Sequence, residues 1–224
     1  MRNSKFIDLT FTIKKHWRWQ AQLYPVRTFD DCNFLVQSID FNLHGFTHVD
    51  APLHFLPDGL SIEQVSLDSF AGEAVVIDLT YLGENDGVTS DDLRKKGQHI
   101  RPDDIVLLRT DWPLKCDYMS RDFWAKSPYT TPSACEWLVQ RKVKAVGYDY
   151  PPDYVLRNKL FDLEYQDKPE ENTTHFGFFP KGIFVIEYLC NLHLITKERF
   201  QFMALPLPIE GAGGSPVRAV VIEE

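Results

Sequence analysis

Residues 74–80 read AVVIDLT and begin a run of three apolar stretches that decides the fold class, followed by IVLLR (105–109) and VKAVGYD (143–149). Each stretch is short, continuous and rich in β-branched residues, which is typical of strands buried on both faces. Helices are predicted over 89–97 and 131–142. The first opens with a capping threonine and early acids, and the second carries proline in its first turn. This alternation predicts βαβ units.

Further strands are predicted on both sides of this central segment, with spacings typical of hairpins. They cover Phe6–Ile13, Asn33–Phe41, Ile183–Glu187, Phe202–Leu207 and Val217–Ile222. No internal repeat or linker divides the chain. We therefore expect an α/β fold in which residues 1–224 form a single domain, with a mixed, barrel-like β-sheet and flanking helices.

Composition excludes several classes of protein. The chain has 224 residues, 13% of them aromatic, which is too aromatic for a disordered protein. A formal net charge of −8 would be repelled by phosphate backbones and anionic lipids, so we expect neither nucleic acid nor a membrane as a partner. No apolar run could span a bilayer, the first residues contain no secretory signal, and the four cysteines lack C-x-x-C spacing. The expected location is the cytoplasm.

The stretch with the clearest chemistry is HGFTHVDAPLHF, residues 44–55. It contains three of the seven histidines of the chain, together with an aspartate. Imidazole and carboxylate together suit Zn, Mn or Fe, while the lack of thiolates disfavours a closed structural zinc site. Histidines that merely pack in a core or decorate a loop would rarely cluster in this way.

Spacing within this stretch predicts a local change of conformation. His44 and His48 would share one face of a helix, whereas His48 and Asp50 would share one face of an extended chain. Neither regular conformation presents all three side chains together. The backbone must therefore change conformation near His48, and Gly45 and Pro52 allow the bends that this requires.

The same stretch resembles the H-x-G-T-H-x-D-x-P-x-H motif of the cyclase/kynurenine formamidase-like metal-dependent hydrolases. The resemblance continues in the order of the family, through residues 56–62, 105–110 and 146–149, His175, and residues 182–189 and 213–218. It implies a swivelling β/β/α fold, subunits that form a homodimer or homotetramer, and a divalent metal, Zn or Mn, with one or two ions per subunit.

The resemblance also implies roles for individual residues. His54 matches the catalytic histidine of the family. The implied metal ligands are His44, His48, Asp50, His175 and Glu187, of which the last two match ligands of a second ion that Asp50 would bridge. Glu187 also ends an apolar strand, where a buried carboxylate without a partner would cost several kcal/mol. A metal would remove that cost, and so would an exposed strand end.

One departure from the motif stands at Phe46, where the family carries glycine and this chain has its glycine one place earlier. Glycine is usually required where backbone torsions demand it, so Phe46 bears on the shape of the loop and the pocket without removing a ligand. Trp17 and Trp19 could line an aromatic pocket or an oligomer interface. The remaining histidines have no acidic or histidine neighbour at ligand spacing and are predicted to lie on the surface or to pack; they are His16, His99 and His193.

The expected function is that of a metal-dependent amidohydrolase, an arylformamidase-like enzyme that cleaves a C–N amide bond with metal-activated water. The resemblance implies N-formylkynurenine as its small-molecule substrate, and with it a place in tryptophan catabolism. His54 would accept the proton of the water and return it to the leaving nitrogen. Two alternatives remain: a cyclic amide or lactone hydrolase, such as isatin hydrolase or a polyketide-type cyclase, and a metal-holding binding protein without activity, which Phe46 would favour.

Overall fold

A computed structural model describes residues 4–223 of the chain. Its strands are β1 (Lys5–Asp8), β2 (Ala21–Arg27), β3 (Val36–Phe41), β4 (His48–Asp50), β5 (Ala71–Asp78), β6 (Gly87–Val88), β7 (Ile105–Arg109), β8 (Tyr129–Thr130), β9 (Ala145–Tyr148), β10 (Phe184–Glu187), β11 (Arg199–Met203), β12 (Gly214–Pro216) and β13 (Val220–Glu223). Its α-helices are α1 (Ser90–Lys96), α2 (Trp112–Lys115), α3 (Asp122–Ala125), α4 (Pro132–Arg141), α5 (Leu156–Phe161) and α6 (Thr173–Phe178).

Nine of the strands form one mixed sheet in the order β1-β13-β11-β5-β7-β9-β10-β4-β12, which curls into a half-barrel. The four neighbours β5, β7, β9 and β10 run parallel, and the pairs outside them are antiparallel. The predicted α/β class with a mixed, barrel-like sheet is therefore confirmed.

The sheet carries a hydrophobic layer on each face. Side chains alternate along β7, so that Val106 and Leu108 join one buried cluster while Ile105 and Leu107 join the other. The first cluster receives the apolar faces of α1, α4 and α6. Burial on both faces explains why these strands read as continuous apolar runs in the sequence.

Element boundaries differ from the predictions where prolines and polar residues interrupt a pattern. The strand predicted over Phe202–Leu207 lies at Arg199–Met203, because Pro206 and Pro208 lack the N–H that a strand donates to its neighbour. Of the strand predicted over Val217–Ile222, only the part from Val220 lies in a strand, β13, and the strand predicted from Phe6 ends at Asp8. Helices α1 and α4 begin and end within a residue of their predicted limits.

Strands β2 and β3 form a separate two-stranded hairpin that the sequence predicted only in part. Both strands are largely exposed along their length, and several of the exposed side chains are large and apolar. In the part of the chain that the structure describes, no helix combines the length and the apolar character needed to cross a membrane.

Candidate metal centre

The predicted site lies where three strand ends meet. Strand β10 runs parallel to β9, and β4 runs antiparallel to β10, with Glu187 opposite His48 and Val185 opposite Asp50. The carboxyl end of β10 is therefore beside the amino end of β4. Ligands of open α/β sheets bind at the carboxyl ends of parallel strands, so the topology places these polar residues at the edge where a site is expected.

A tight turn before β4 provides the predicted change of conformation. Residues 44–47 form the turn, and the chain is extended from His48 to Asp50 and then enters a 3-10 turn at Pro52–His54. The Thr47 hydroxyl donates a hydrogen bond to the carbonyl oxygen of Tyr188 at 2.6 Å and fixes the turn against the end of β10. The turn places the side chain of His44 beside those of His48 and Asp50, which lie on the extended segment.

Phe46 adopts the backbone conformation that glycine would favour. Its φ of 61° lies in the left-handed region, which costs a non-glycine residue about 1–2 kcal/mol. The side chain is only 1% exposed and packs against Trp19, with ring centroids 5.2 Å apart. Aromatic burial offsets the backbone cost. The Phe46 carbonyl oxygen lies 2.9 Å from Nδ1 of His48, which directs Nε2 of that ring into the site.

The first group of donor atoms surrounds one oxygen of Asp50. Oδ1 of Asp50 lies 2.6 Å from Nδ1 of His44 and 3.3 Å from Nε2 of His48. His48 and Asp50 are buried and His44 is half-buried. These three side chains form a set whose donor atoms lie close enough together to hold one cation.

The second group surrounds the other oxygen of the same carboxylate. Oδ2 of Asp50 lies 3.3 Å from Nε2 of His175, which lies 3.5 Å from Oε1 of Glu187. The other Glu187 oxygen, Oε2, lies 3.8 Å from Nε2 of His48. Each of the two carboxylates thus turns one oxygen toward each group.

Asp153 orients His175 and was not identified from the sequence. Its Oδ2 lies 2.6 Å from Nδ1 of His175, and it also accepts hydrogen bonds from the amide and hydroxyl of Thr174. A carboxylate on the far nitrogen of a histidine fixes the ring and raises its basicity. Asp153 follows the buried strand β9 at the same edge of the sheet as Glu187, which is the one sequence signal that could have indicated it.

The electrostatics of the cluster suit a bound cation. Burial would raise the pKa of Asp50, but the positive charge of His48 and the hydrogen bonds from His175 and His44 hold it well below its usual range. Burial, followed by repulsion from Asp50, raises the pKa of Glu187. Burial opposes the charged form of His175, yet the hydrogen bonds to Asp153 and Asp50 raise its pKa to about 10. The proton on His175 thus compensates negative charge on the buried carboxylates, and a divalent cation could take over this role.

Two of the donor separations match those around a metal, while His44 and Asp50 lie at hydrogen-bond distance, 2.6 Å apart. Two ligand atoms that are each about 2.0 Å from a tetrahedral Zn are about 3.3 Å apart. The separations of Asp50 Oδ1 from His48 and of Asp50 Oδ2 from His175 are both 3.3 Å. Imidazole and carboxylate donors, all converging and mostly buried, match the coordination chemistry of Zn or Mn.

His54 lies at the open side of the cluster. Its ring stacks on that of His44 with centroids 3.7 Å apart, while the residue keeps a surface exposed to solvent. Burial of the ring lowers the pKa of His54, despite the attraction of Asp50, so the imidazole is neutral at pH 7. One of its nitrogens also lies within reach of Asp50 and His175, which makes a role as a third donor to the second group geometrically possible.

Two glycines of the last matched segment allow the histidines to approach. A Cβ on Gly214 would lie 2.7 Å from Cε1 of His44 and 2.9 Å from the carbonyl oxygen of Val49. A Cβ on Gly213 would lie 3.1 Å from Cα of His54. A turn at residues 210–211 precedes β12, and Gly213 and Gly214 lie directly against His54 and His44.

A cavity of about 280 Å³ opens onto the cluster. Besides the donor residues, aromatic side chains line it, namely Trp19, Phe55 and Tyr188. Trp17 does not line this cavity and is exposed. Of the two tryptophans considered for an aromatic pocket, only Trp19 therefore lies in it. His16 is buried among aromatic rings, and His99 and His193 lie outside the cluster.

Comparison with known sequences agrees with this geometry. The model of the Cyclase family, described as "Putative cyclase", matches residues 7–152. Kynurenine formamidase of Bordetella petrii is 30% identical over 210 residues, which cover 94% of this chain and 88% of that protein. Kynurenine formamidase of Salinibacter ruber is 30% identical over 215 residues, covering 92% and 86% of the two chains.

Solved structures share the fold. Isatin hydrolase A from Ralstonia solanacearum superimposes with a TM-score of 0.81 at 24% identity, covering 99% of this chain and 93% of that one. An isatin hydrolase bound to the product analogue thioisatinate gives the same TM-score at 20% identity, covering 98% and 92%. At these identities the likeness concerns the fold alone.

Proposed function

Because this chain belongs to the Cyclase family, we propose that it is a metal-dependent hydrolase of amide bonds and that its substrate is an N-formyl aryl amide, N-formylkynurenine. The observation that carries the proposal is the convergence of three imidazoles and the buried carboxylate of Glu187 on the buried carboxylate of Asp50. Relatives named kynurenine formamidase, aligned over most of both chains, support the reaction class and the substrate.

Two ions per subunit are proposed because each oxygen of Asp50 serves a separate donor group. His44 and His48 would hold one ion, and His175 the other, while Asp50 and Glu187 would contribute to both. The donor types favour Zn or Mn. A divalent ion in such a site lowers the pKa of water toward 7 and polarises the scissile carbonyl.

The residues of the cavity supply the remaining parts of the reaction. His54 is neutral at pH 7 and lines the cavity, where it would accept a proton from the attacking water and give it to the leaving nitrogen as the C–N bond breaks. Its lowered pKa weakens it as a base and favours the return of the proton to that nitrogen. Trp19, Phe55 and Tyr188 provide an apolar surface for the aryl ring. Hydrolysis of the formamide yields formate and the free aryl amine.

The experiment that tests the function measures release of the aryl amine from N-formylkynurenine. Purified protein should lose activity when a chelator removes the metal and regain it with Zn or Mn. His54→Ala should keep both ions, measured by elemental analysis, and lose turnover by at least about 100-fold. Unchanged turnover would remove the proton-transfer role, whereas loss of an ion would assign His54 as a ligand.

A panel of substrates separates the amide-bond alternatives. N-formyl aryl amides should be turned over with a higher kcat/KM than isatins or lactones. A preference for isatin would assign a cyclic amide hydrolase instead. Phe46 leaves the donors in place, so its presence gives no reason to expect a binding protein without activity.

For the assembly we propose a homodimer or homotetramer in the cytoplasm. The hairpin of β2 and β3 supports self-association because it exposes apolar side chains and pairs with no other strand of the described chain. An isolated two-stranded hairpin is only marginally stable in water, so a protein surface against it would stabilise it.

A further inference from the structure

One positively charged side chain that lines the cavity above the candidate metal centre has no acidic partner in the described chain. Two basic side chains line this cavity, Arg18 and Lys159. Nζ of Lys159 lies 2.8 Å from a carboxylate oxygen of Asp167 and is therefore paired. Within residues 4–223 the guanidinium of Arg18 forms neither an ion pair nor a hydrogen bond, although the residue is half-buried.

Aromatic packing holds Arg18 in this position. Its guanidinium carbon lies 5.6 Å from the centroid of the Trp124 ring. Trp19, the next residue along the chain, is buried with its ring 5.2 Å from Trp124 and 5.1 Å from Tyr188. Stacking on an aromatic face leaves the N–H donors of a guanidinium available, and these donors match the geometry of a carboxylate.

The lining of the cavity is therefore divided by chemistry. Imidazoles and acids form the reaction centre, Trp19, Phe55 and Tyr188 form an apolar surface, and Arg18 adds one free positive charge. A ligand that satisfies all three would carry an amide, an aryl ring and an anionic group.

We infer that Arg18 binds the carboxylate of the substrate, so that the pocket selects aryl amides with an anionic side chain over uncharged ones. This inference rests on the proposed function and deepens it by assigning a residue to substrate selection. A guanidinium that only packs on Trp124 would contribute to stability without distinguishing charged from uncharged substrates.

The test compares two substrates that differ in the carboxylate. N-formylkynurenine carries an amino-acid side chain, and N-formyl-2-aminoacetophenone keeps the aryl formamide and ketone without it. Arg18→Gln should reduce the ratio of kcat/KM for the charged over the uncharged substrate by about 10- to 100-fold, mainly through KM of the charged one. Arg18→Lys should restore part of the ratio.

A matched control is available in Arg121. Its guanidinium carbon lies 5.1 Å from the ring centroid of Trp17 in the same aromatic region, but it does not line the cavity. Arg121→Gln should leave the substrate ratio as in the wild-type protein. An unchanged ratio in Arg18→Gln, or an equal fall in Arg121→Gln, would overturn the inference.

Failure of the proposed function is distinguishable from failure of this inference. If the wild-type protein hydrolyses neither formamide, the proposed function fails, and calorimetric titration then tests Arg18 alone. Wild-type protein should bind kynurenine at least about tenfold more tightly than 2-aminoacetophenone, and Arg18→Gln should abolish the difference. Equal affinities, or no binding of kynurenine, would refute the role of Arg18.

Discussion

Individual side chains in this site depend on neighbours that hold their rings and oxygens in one orientation. His48 is fixed by the Phe46 carbonyl oxygen, and His175 by Asp153. Such outer partners set which nitrogen faces the centre and how basic it is. The functional behaviour of the histidines should therefore change when residues that touch no metal are altered.

Asp153→Asn tests the orientation of His175. The amide cannot supply the negative charge that, together with the hydrogen bond at 2.6 Å, raises the pKa of His175. We expect the affinity for the metal of the second group to fall by about 10- to 100-fold, with the fold retained. Competition titration with a chromophoric chelator measures this, and an affinity equal to that of the wild-type protein would contradict the orienting role.

Gly214→Ala tests the close approach of His44. The added methyl would lie 2.7 Å from Cε1 of that ring and 2.9 Å from the backbone at Val49, so His44 must move. We expect weaker metal binding at the first group, measured by the same titration. Gly83→Ala is the control, because its methyl would lie 3.7 Å from its nearest neighbour, Oδ2 of Asp86, which is ordinary van der Waals contact. Equal affinities in the two variants would show that Gly214 does not position His44.

Sequence identifies some of these residues and not others for a physical reason. His44, His48 and Asp50 lie within seven residues, so their spacing alone indicates a shared site. Asp153 and Arg18 reach the cavity only through tertiary packing, and their local sequence contains no periodic pattern. The glycine that the family carries at position 46 drew attention to the backbone of Phe46, but the contact with Trp19 that stabilises it forms only by tertiary packing.

At the level of the elements, the register between β4 and β10 places Glu187 opposite His48 and thereby joins two distant parts of the sequence. The central strands were predictable because burial on both faces makes them continuous apolar runs. Strand β4 was not, because three residues are too few for any periodicity. Of the hairpin of β2 and β3, only β3 was predicted, because strands exposed on both faces need not alternate apolar and polar residues.

Leu23→Lys tests whether the hairpin of β2 and β3 is an interface. Leu23 is 59% exposed and lies opposite Ile39, which is 46% exposed, so the two form an apolar pair on one face. A lysine would place a charge in any interface formed there. Sedimentation velocity should show a dimer or tetramer for the wild-type protein and a shift toward monomer for the variant.

The control for this experiment is Leu163→Lys, at a residue that is 92% exposed and lies outside the hairpin. It should sediment as the wild-type protein does. A monomeric wild-type protein, or a Leu23→Lys variant with an unchanged sedimentation coefficient, would count against self-association through the hairpin.

For the molecule as a whole, the candidate metal centre joins residues that are far apart in the sequence and that the sheet brings together. Its donors come from residues 44–50 and from 175 and 187, so the unfolded chain does not present them as a set. A ligand that binds only the folded state stabilises it by mass action. Metal binding is thus expected to stabilise the global fold.

Urea unfolding with and without metal measures this coupling. At a free metal concentration of about 100 times Kd, the free energy of unfolding should rise by about 2.7 kcal/mol for each ion bound. Asp50→Asn should lose most of this increase, because Asp50 contributes to both groups. Identical unfolding midpoints with metal and with chelator would indicate that the folded chain holds no ion.

The central claim is that these side chains share bound cations, and anomalous scattering from crystals of the metal-loaded protein tests it most directly. Data collected at the Zn and Mn absorption edges should give peaks beside Asp50, one toward His48 and one toward His175, each within about 2.0–2.2 Å of its ligand atoms. A fully loaded crystal with no anomalous peak among these side chains, or with the ions bound elsewhere, would contradict the account.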